Sequence, residues 1–286
     1  MEGANAAVLR ELLAMCARQS ATELLCALAA RLAAVLSTRL EKLMTYCVGM
    51  LLQHGMVMLS DSRTNAGVDN ISSYRKMTVW ENPGDRVIVA MSAGNLAITQ
   101  SAIQLMNEGM PMGDGRLSMK NVSSMTEAAR LAGWALREVD RIDGPSLRAS
   151  GVGFGASILL GGQTRGRQLR MFQIYAEGNF IQAMPETPFL QIGEFKYGKP
   201  IIDRVVRFDS LLSTAAKCAL VSMDSTVKSN LSVAPPIDLL VYERDALAVK
   251  VHTVMKDDDA YWNTLRRAWD DGLHDRFAKL PEPPWV

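Results

Sequence analysis

Side chains that bind metals or form catalytic dyads are scarce in this sequence of 286 residues. Its three histidines lie far apart, and none belongs to an HExxH or similar metal-ligand pattern. Its four cysteines show no CxxC spacing; they are Cys16, Cys26, Cys47 and Cys218. We therefore expect no metal or other cofactor, and reduced thiols as in a cytoplasmic protein. If the chain is a hydrolase, lysine or amine chemistry is favoured over a histidine dyad.

The sequence also lacks a strong net charge and a long apolar run. Its formal net charge is +1, so no overall field attracts nucleic acid or an anionic membrane. No apolar run reaches the roughly 18 residues of a membrane span. The longest candidate, Leu24 to Leu36, is interrupted by Arg31. With 48% hydrophobic and 21% charged residues, the composition is that of a globular protein.

Residues 1–43 differ in character from the remainder of the chain. They are rich in Ala, Leu and Arg, contain no Pro, and place apolar residues at helical spacing. Acidic residues stand where a signal peptide has a basic start, and no clear small-residue cleavage site follows. The segment is interpreted as a removable propeptide, an accessory helix, or translated sequence upstream of a start at Met44, and we favour the last. Residues 44–286 are predicted to form one domain.

From Tyr46 onward, strand patterns and helix patterns alternate in blocks. Turn signals separate the predicted strands, and Asn95 and a Ser124-Met-Thr-Glu127 capping box open the first two predicted helices. The predicted strands are Tyr46–Leu52, Met56–Ser60, Arg75–Trp80, Arg86–Ser92, Gly151–Gly161, Arg167–Ala176, Ile237–Tyr242 and Leu247–Val254. The predicted helices run from Asn95 to about Asn107, Ser124 to about Asp140, Ser210 to Ser229, and Asp257 to about Leu280. This order predicts an α+β fold, a four-layer αββα sandwich of two facing sheets with helices outside.

Three residues near the start of this domain suit a threonine nucleophile. Thr45 opens a strand, Asp61 lies in Leu59-Ser-Asp-Ser-Arg-Thr64, and Lys76 lies in Tyr74-Arg-Lys-Met77. A threonine hydroxyl needs a neighbouring base, and a free α-amine, with a reference pKa near 8, can accept its proton. A lysine nearby would lower the pKa of that amine, and an aspartate would orient the lysine. The mechanism requires Thr45 to become the first residue; otherwise Thr45 is simply a residue that favours a strand.

An oxyanion site is predicted where a strand gives way to a helix. Ser92-Ala-Gly-Asn95 places Gly94 at that junction, where backbone amides can point at developing negative charge. Without a side chain, Gly94 permits a close approach. The alternative is a turn that needs glycine for its geometry alone.

Together these residues resemble the proteasome β-subunit and HslV family of threonine hydrolases, and in particular its bacterial Anbu (ancestral β-subunit) branch. The resemblance runs from Thr45 to the C-terminus. It rests on the stretches Met44-Thr-Tyr-Cys-Val-Gly-Met50, Ser60-Asp-Ser-Arg-Thr-Asn-Ala-Gly-Val-Asp-Asn70, Ser92-Ala-Gly-Asn-Leu96, Gln191-Ile-Gly-Glu-Phe-Lys-Tyr-Gly-Lys-Pro200 and Ser222-Met-Asp-Ser-Thr226.

The resemblance implies that Thr45 is the nucleophile, that Asp61 and Lys76 support it, and that the Gly94 amide binds the oxyanion. It also matches Asp224 to an aspartate near the terminal amine, and it implies that Arg75, just before the lysine, lines the substrate pocket and favours acidic groups. A surface arginine is the alternative for Arg75.

Two departures from the family pattern concern the terminal amine. Where relatives have serines near it, this chain has Glu194 and Val227, with Ser225 and Ser229 close by. A carboxylate at Glu194 could hold an ammonium and make the amine a poorer base. Self-cleaving relatives carry glycine before the threonine, whereas this chain has Met44, which favours a start at Met44 over autolysis.

Three functions remain open at this point. The first is a threonine peptidase or amidase that acts through an acyl-enzyme on peptides or proteins. The second is a catalytically silent or narrowly specific assembly protein, and the third is an amidase of a non-peptide amide. The resemblance implies a ring-like or spiral homo-oligomer with the nucleophiles facing an interior chamber. An ATP-dependent unfoldase is typical of HslV and the proteasome, but the sequence assigns none here.

Overall fold

A computed structural model describes residues 45–65 and 71–285. The predicted extension over residues 1–43 and the proposed start at Met44 lie outside the described residues. Within residues 45–65 and 71–285, no helix is both long enough and apolar enough to cross a membrane.

Two five-stranded antiparallel sheets form the centre of the fold. In sheet one the strand order is β12-β1-β2-β13-β14, and these strands are β1 Tyr46–Leu52, β2 Gly55–Asp61, β12 Phe189–Gly193, β13 Ile237–Glu243 and β14 Val251–Met255. In sheet two the order is β11-β10-β9-β6-β5, with β5 Met77–Asn82, β6 Arg86–Gly94, β9 Ala156–Thr164, β10 Arg170–Ile174 and β11 Phe180–Gln182.

Helices and short hairpins complete the described chain. The helices are α1 Leu96–Glu108, α2 Met125–Ala149, α3 Lys199–Val205, α4 Leu212–Ser229 and α5 Ala260–Phe277. The short hairpins pair β3 Arg63–Asn65 with β4 Ile71–Ser73, and β7 Met110–Met112 with β8 Gly115–Leu117.

Three apolar clusters define four layers. One cluster lies between α1, α2 and sheet two, and includes Ala102, Leu131 and Ile158. A second lies between sheet one and the helices α3, α4 and α5, and includes Met223 and Trp262. The third fills the space between the two sheets. The predicted αββα sandwich is therefore confirmed, and the inner cluster holds the sheets face to face.

Local signals explain where the first two helices begin. The side chain of Asn95 accepts hydrogen bonds from the backbone amides of Ala97 (3.0 Å) and Ile98 (3.5 Å), so it caps α1 as predicted. The hydroxyl of Ser124 accepts from the Glu127 amide at 3.2 Å at the start of α2. Both of these predicted helix starts are confirmed.

Several predicted boundaries were wrong. The second helix does not end near Asp140 but runs through Pro145 to Ala149, with Arg148 paired to Asp140 at 2.8 Å across the proline turn. Residues 151–155 are not a strand, since β9 starts only at Ala156. The strands predicted from Arg75 and Leu247 begin later, at Met77 and Val251, and β11, β12 and α3 were not predicted.

The register of sheet one brings the predicted site residues together. Tyr46 of β1 pairs with Gly193 of β12, so residues 45 and 194 come side by side. Asp61 ends β2 opposite Ile237 of β13. The start of β1 and the end of β2 therefore lie side by side at the same end of sheet one.

Candidate active site

Thr45 lies at the start of β1, buried to 6% exposure. Its carbonyl accepts a hydrogen bond from the Glu194 amide at 2.6 Å. Gly193 has φ +80°, and a Cβ there would stand 2.0 Å from the Thr45 carbonyl oxygen. Glycine is therefore required at position 193, because any side chain would displace the backbone of Thr45.

Asp61 and Lys76 form a buried ion pair beside Thr45. The Lys76 ammonium donates to both oxygens of Asp61, at 2.7 and 2.8 Å, and to the Arg63 carbonyl at 2.7 Å. Asp61 Oδ1 also accepts from the amide of Tyr46 at 2.9 Å, and Oδ2 accepts from the Arg63 amide at 3.2 Å. One carboxylate oxygen thus joins Lys76 to the residue that follows Thr45. The structure brings Thr45, Asp61 and Lys76 into one cluster.

Burial dominates the electrostatics of this pair. Asp61 is 0% exposed and Lys76 is 5% exposed. Burial raises the pKa of the Asp61 carboxyl, and the neighbouring Lys76 ammonium and the backbone donors oppose that rise. Two charges held this far from solvent interact strongly and fix each other's position.

Gly94 ends β6 close to this cluster. The amide of Ser92 donates to the carbonyl of Lys76 at 3.2 Å, which joins the end of β6 to the segment that carries Lys76. Gly94 has φ +115°, and a Cβ there would stand 2.2 Å from the Gly155 carbonyl oxygen. Glycine is therefore required by the geometry of the turn, and its role as oxyanion donor remains a prediction.

Glu194 is a buried residue whose backbone lies next to Thr45. Its Oε1 accepts from the amides of Phe195 and Lys196, both at 2.9 Å, and its Oε2 accepts from Asn230 Nδ2 at 3.3 Å. The Glu194 amide binds the Thr45 carbonyl, so the backbones of these two residues are joined by a hydrogen bond. This position suits the predicted contact with a terminal ammonium, and the contact itself remains a prediction.

Asn230 is a site residue that the sequence analysis missed. It ends α4, with its amide donating to the Thr226 carbonyl at 2.8 Å, and its Oδ1 accepts from the Ser232 amide at 2.9 Å. These bonds direct Nδ2 toward Glu194. An asparagine at a helix C-terminus is a recognisable signal, but it gives no indication of which side chain it meets.

Asp224 lies on α4 and pairs with α5. Its Oδ1 accepts from Arg266 Nε at 2.7 Å. Its Oδ2 is buried with no hydrogen-bond partner in the described part of the chain. No hydrogen bond among residues 45–65 and 71–285 joins Asp224 to Thr45, Asp61 or Lys76, so its predicted place near the amine remains a prediction.

Val227 and Ser225, which lie on α4, make packing and hydrogen-bond contacts within the fold. The Val227 side chain packs against the cluster beneath sheet one, and the Ser225 hydroxyl donates to the Val221 carbonyl at 3.2 Å. A different serine links α4 to the site: the Ser222 hydroxyl is 2.7 Å from the Tyr46 hydroxyl. Ser222 thereby anchors the first residue of β1.

Arg75 is held by two groups on β13 and β14. Its Nε and Nη2 donate to Asp238 Oδ2 at 3.1 and 3.0 Å. His252 Nε2 lies 2.6 Å from Asp238 Oδ1. Asp238 is fully buried and offsets the charge of Arg75, whose side chain is 59% exposed. Arg75 directly precedes Lys76 of the Asp61–Lys76 ion pair. Its contact with substrate remains a prediction.

Solved structures of Anbu proteins match the chain over nearly their whole length. Anbu (ancestral β-subunit) from Yersinia bercovieri is 46% identical, with 85% of this chain and 100% of that chain covered and a TM-score of 0.79. The Gly-1 mutant of Anbu from Hyphomicrobium sp. strain MC1 is 48% identical, with 84% and 99% covered and a TM-score of 0.76. The helical assembly of the Anbu complex from Pseudomonas aeruginosa is 48% identical, with 84% and 98% covered and a TM-score of 0.79. No protein-family model matches the chain, and no curated protein compared with it does.

Proposed function

Because this chain belongs to the Anbu (ancestral β-subunit) family of proteasome-like proteins, we propose that it is a threonine-type N-terminal-nucleophile hydrolase. Its substrate is a peptide or protein amide, and its nucleophile is the hydroxyl of Thr45. The observation that carries this proposal is the buried Asp61 carboxylate, one oxygen of which binds both Lys76 and the amide of Tyr46.

The reaction begins once the residues before Thr45 have been removed. The released α-amine takes the proton of the Thr45 hydroxyl while the oxygen bonds to the substrate carbonyl carbon. The charge of Lys76 lowers the pKa of that amine and favours the alkoxide, and Asp61 keeps the ammonium of Lys76 in place. The amide at Gly94 donates to the oxyanion of the tetrahedral intermediate.

Collapse of this intermediate breaks the amide bond. The protonated α-amine gives its proton to the leaving nitrogen, which leaves an ester between the acyl group and Thr45. Water then attacks the ester while the amine takes a proton from it. The amine returns this proton to the Thr45 oxygen as the ester bond breaks, and the acid and free Thr45 are released. No cofactor takes part in these steps.

We propose that Glu194 and Asn230 lie around the released α-amine of Thr45. A carboxylate here stabilises the ammonium over the neutral amine, so it holds the N-terminus in position but makes it a weaker base near neutral pH. The donation from Asn230 Nδ2 reduces the negative charge on Oε2. Asp224 is the further acidic residue proposed to act near the amine.

The second candidate function is a silent or narrowly specific assembly protein. The buried Glu194 carboxylate favours it, because an amine kept protonated does not activate Thr45. An amidase of a non-peptide amide on the same fold is the third candidate. In each case we propose a cytoplasmic homo-oligomer, supported by the helical assembly of the Pseudomonas aeruginosa relative.

Turnover by a chain that begins at Thr45 tests the proposal. Fluorogenic peptide amides and small-molecule amides are offered to this chain, to its Thr45→Ala variant, and to a chain that retains residues 1–44. Hydrolysis only by the first chain supports the threonine mechanism, and the substrate set distinguishes peptidase from amidase. Equal turnover by the Thr45→Ala variant would overturn it.

A further inference from the structure

A second ion pair, between Asp238 and Arg75, accompanies the Asp61–Lys76 pair. The two carboxylates come from paired strands, since Asp238 of β13 lies opposite Ser60, the residue before Asp61 in β2. The two cations are consecutive in the segment that precedes β5. The second pair is therefore one residue away from the proposed catalytic pair on the acidic side and on the basic side.

Asp238 is fully buried, and both of its carboxylate oxygens have partners. Oδ2 accepts from Arg75 Nε and Nη2 at 3.1 and 3.0 Å, and Oδ1 lies 2.6 Å from His252 Nε2. A carboxylate only accepts hydrogen bonds, so His252 Nε2 is the donor in this contact. Asp238 pairs with Val254 of β14, two residues after His252. The register of the two strands therefore makes His252 the diagonal neighbour of Asp238.

The burial of Asp238 distinguishes this cluster from an ordinary surface ion pair. A carboxylate is costly to remove from water unless hydrogen bonds satisfy its oxygens. Two mobile, exposed side chains fix each other's position only weakly. Here the acceptor is held by β13 and by His252, whereas the Arg75 side chain that it binds is exposed. A rigid, buried acceptor thus orients an exposed guanidinium.

The guanidinium of Arg75 keeps N–H donors for a further partner. Asp238 takes one hydrogen from Nε and one from Nη2. Nη2 also lies 3.3 Å from His252 Nε2, but that nitrogen already donates to Asp238 and does not accept. In the part of the chain that the structure describes, no hydrogen bond involves Nη1 of Arg75. The outer edge formed by Nη1 and Nη2 therefore suits both oxygens of a second carboxylate, the geometry in which arginine recognises this group.

We propose that Asp238 and His252 are positioning residues for Arg75, and that Arg75, so oriented, binds a carboxylate of the substrate. Because Arg75 directly precedes Lys76, this carboxylate belongs to the residue that supplies the scissile carbonyl. The substrate class is a peptide amide with Asp or Glu at that residue. Since Asp238 offsets the charge of Arg75, recognition depends on the placement of the guanidinium edge more than on net charge. The inference rests on the proposed function and names the substrate class of the same site.

Equilibrium binding to an inert chain tests the inference without catalysis. The chain begins at residue 45 and carries Thr45→Ala. The probes are acetyl-Ala-Ala-Glu-amide and acetyl-Ala-Ala-Gln-amide, which differ only in a carboxylate against a carboxamide, and ligand-observed NMR titration gives the two dissociation constants. We expect the Glu peptide to bind at least about tenfold more tightly. Arg75→Gln should abolish this preference, and Arg75→Lys, which keeps the charge but not the planar fork, should reduce it below about threefold.

Two variants of His252 separate positioning from folding. A glutamine side chain can donate an N–H to Asp238 from near the position of Nε2, whereas leucine cannot. We expect His252→Gln to keep at least about half of the preference for the Glu peptide, and His252→Leu to reduce it below about threefold. Asp238→Asn should act like His252→Leu, because the carboxamide is a weaker acceptor for the guanidinium. Arg141→Gln is the matched control, since this exposed arginine pairs with Glu138 on α2, and it should leave the preference unchanged.

Steady-state kinetics of the active chain add a reading that a merely structural role would not change. His252→Leu should raise KM for an amide substrate with Glu before the scissile bond, and leave kcat and the KM of its Gln counterpart within about twofold. Circular dichroism verifies the fold of each variant, and if Asp238→Asn does not fold, the two His252 variants decide.

The inference is overturned if the inert chain binds the two peptides alike, or if folded His252→Leu keeps the full preference. Tighter binding of the Glu peptide by folded Asp238→Asn would also overturn it, because Arg75 would then act by net charge alone. Failure of the active chain to hydrolyse either substrate would contradict the proposed hydrolase, while the binding constants would still decide the role of Arg75.

Discussion

Asp61 is the residue on which the geometry of the site depends, because Lys76 and the Tyr46 amide share one of its oxygens. An Asp61→Asn variant removes the negative charge and leaves the Lys76 ammonium buried without a counter-charge. We expect the free energy of unfolding, measured by urea titration, to fall by about 3–5 kcal/mol. We also expect the rate of Thr45 labelling by a β-lactone to fall at least about 100-fold.

Asp85→Asn is the matched control for that change. Asp85 pairs with Arg86 at 2.6 Å in a partly exposed hairpin, so its loss should lower the free energy of unfolding much less than the loss of Asp61. If the two variants were equally stable and equally reactive, the central place given to the Asp61–Lys76 pair would be wrong.

Gly94 is constrained by backbone geometry as well as by its predicted catalytic role. In a Gly94→Ala variant the new Cβ meets the Gly155 carbonyl oxygen, and the backbone stays at a φ that side chains rarely adopt. We expect the free energy of unfolding to fall by about 2 kcal/mol or more. Gly155→Ala is the control, since a Cβ there meets nothing within 4 Å. Equal stability of the two variants in denaturant titrations would contradict this account of the turn.

At the residue scale, the sequence could predict the cluster of Thr45, Asp61 and Lys76, but not which residues lie around it. The β1–β2 hairpin brings Thr45 and Asp61 to the same end of sheet one, so their proximity could be inferred from the sequence. Lys76 precedes β5 of the other sheet, and its place beside Asp61 was predicted from the family resemblance alone. Asn230 could not, because its contact with Glu194 depends on how α4 ends and turns back toward β12. Asp224 illustrates the same limit, since its ion pair with Arg266 joins residues far apart in sequence.

At the scale of elements, strands in local hairpins were predictable and strands paired over long distances were not. The β1–β2 hairpin was found from its sequence, whereas β12 has only five residues and is stabilised by pairing with the distant β1. The seven-residue α3 is too short to be stable by itself and depends on its packing against the neighbouring helix. Helix α2 runs past its predicted end near Asp140 and through Pro145, although a proline normally ends a helix.

The packing of α4 on sheet one is measurable through Cys218. Burial raises the pKa of the Cys218 thiol to about 11, so little thiolate is present near neutral pH. We expect iodoacetamide to modify Cys218 at pH 8 at least about tenfold more slowly than the same thiol in urea-unfolded protein. Peptide mass mapping measures the two rates separately from those of other cysteines. Comparable rates in the folded and unfolded protein would show that α4 does not cover this thiol.

For the whole molecule, the first question is where the mature chain begins. Removal of methionine before a small residue would expose Thr45 if synthesis starts at Met44. We therefore expect intact-mass analysis of the protein from its own cells to give a chain beginning at Thr45. A population that begins only at Met1 would show that the α-amine is not available, and the assembly function would then be favoured.

The most direct test of the threonine mechanism is the site of β-lactone modification on a chain that begins at Thr45. Intact mass and peptide mapping should show one adduct per chain, on the Thr45 hydroxyl. The adduct should be absent from Thr45→Ala and from a chain that retains Met44, since that chain has no free amine beside the hydroxyl. No adduct on a folded chain with a verified Thr45 N-terminus would contradict the mechanism, as would equal labelling of the chain that keeps Met44.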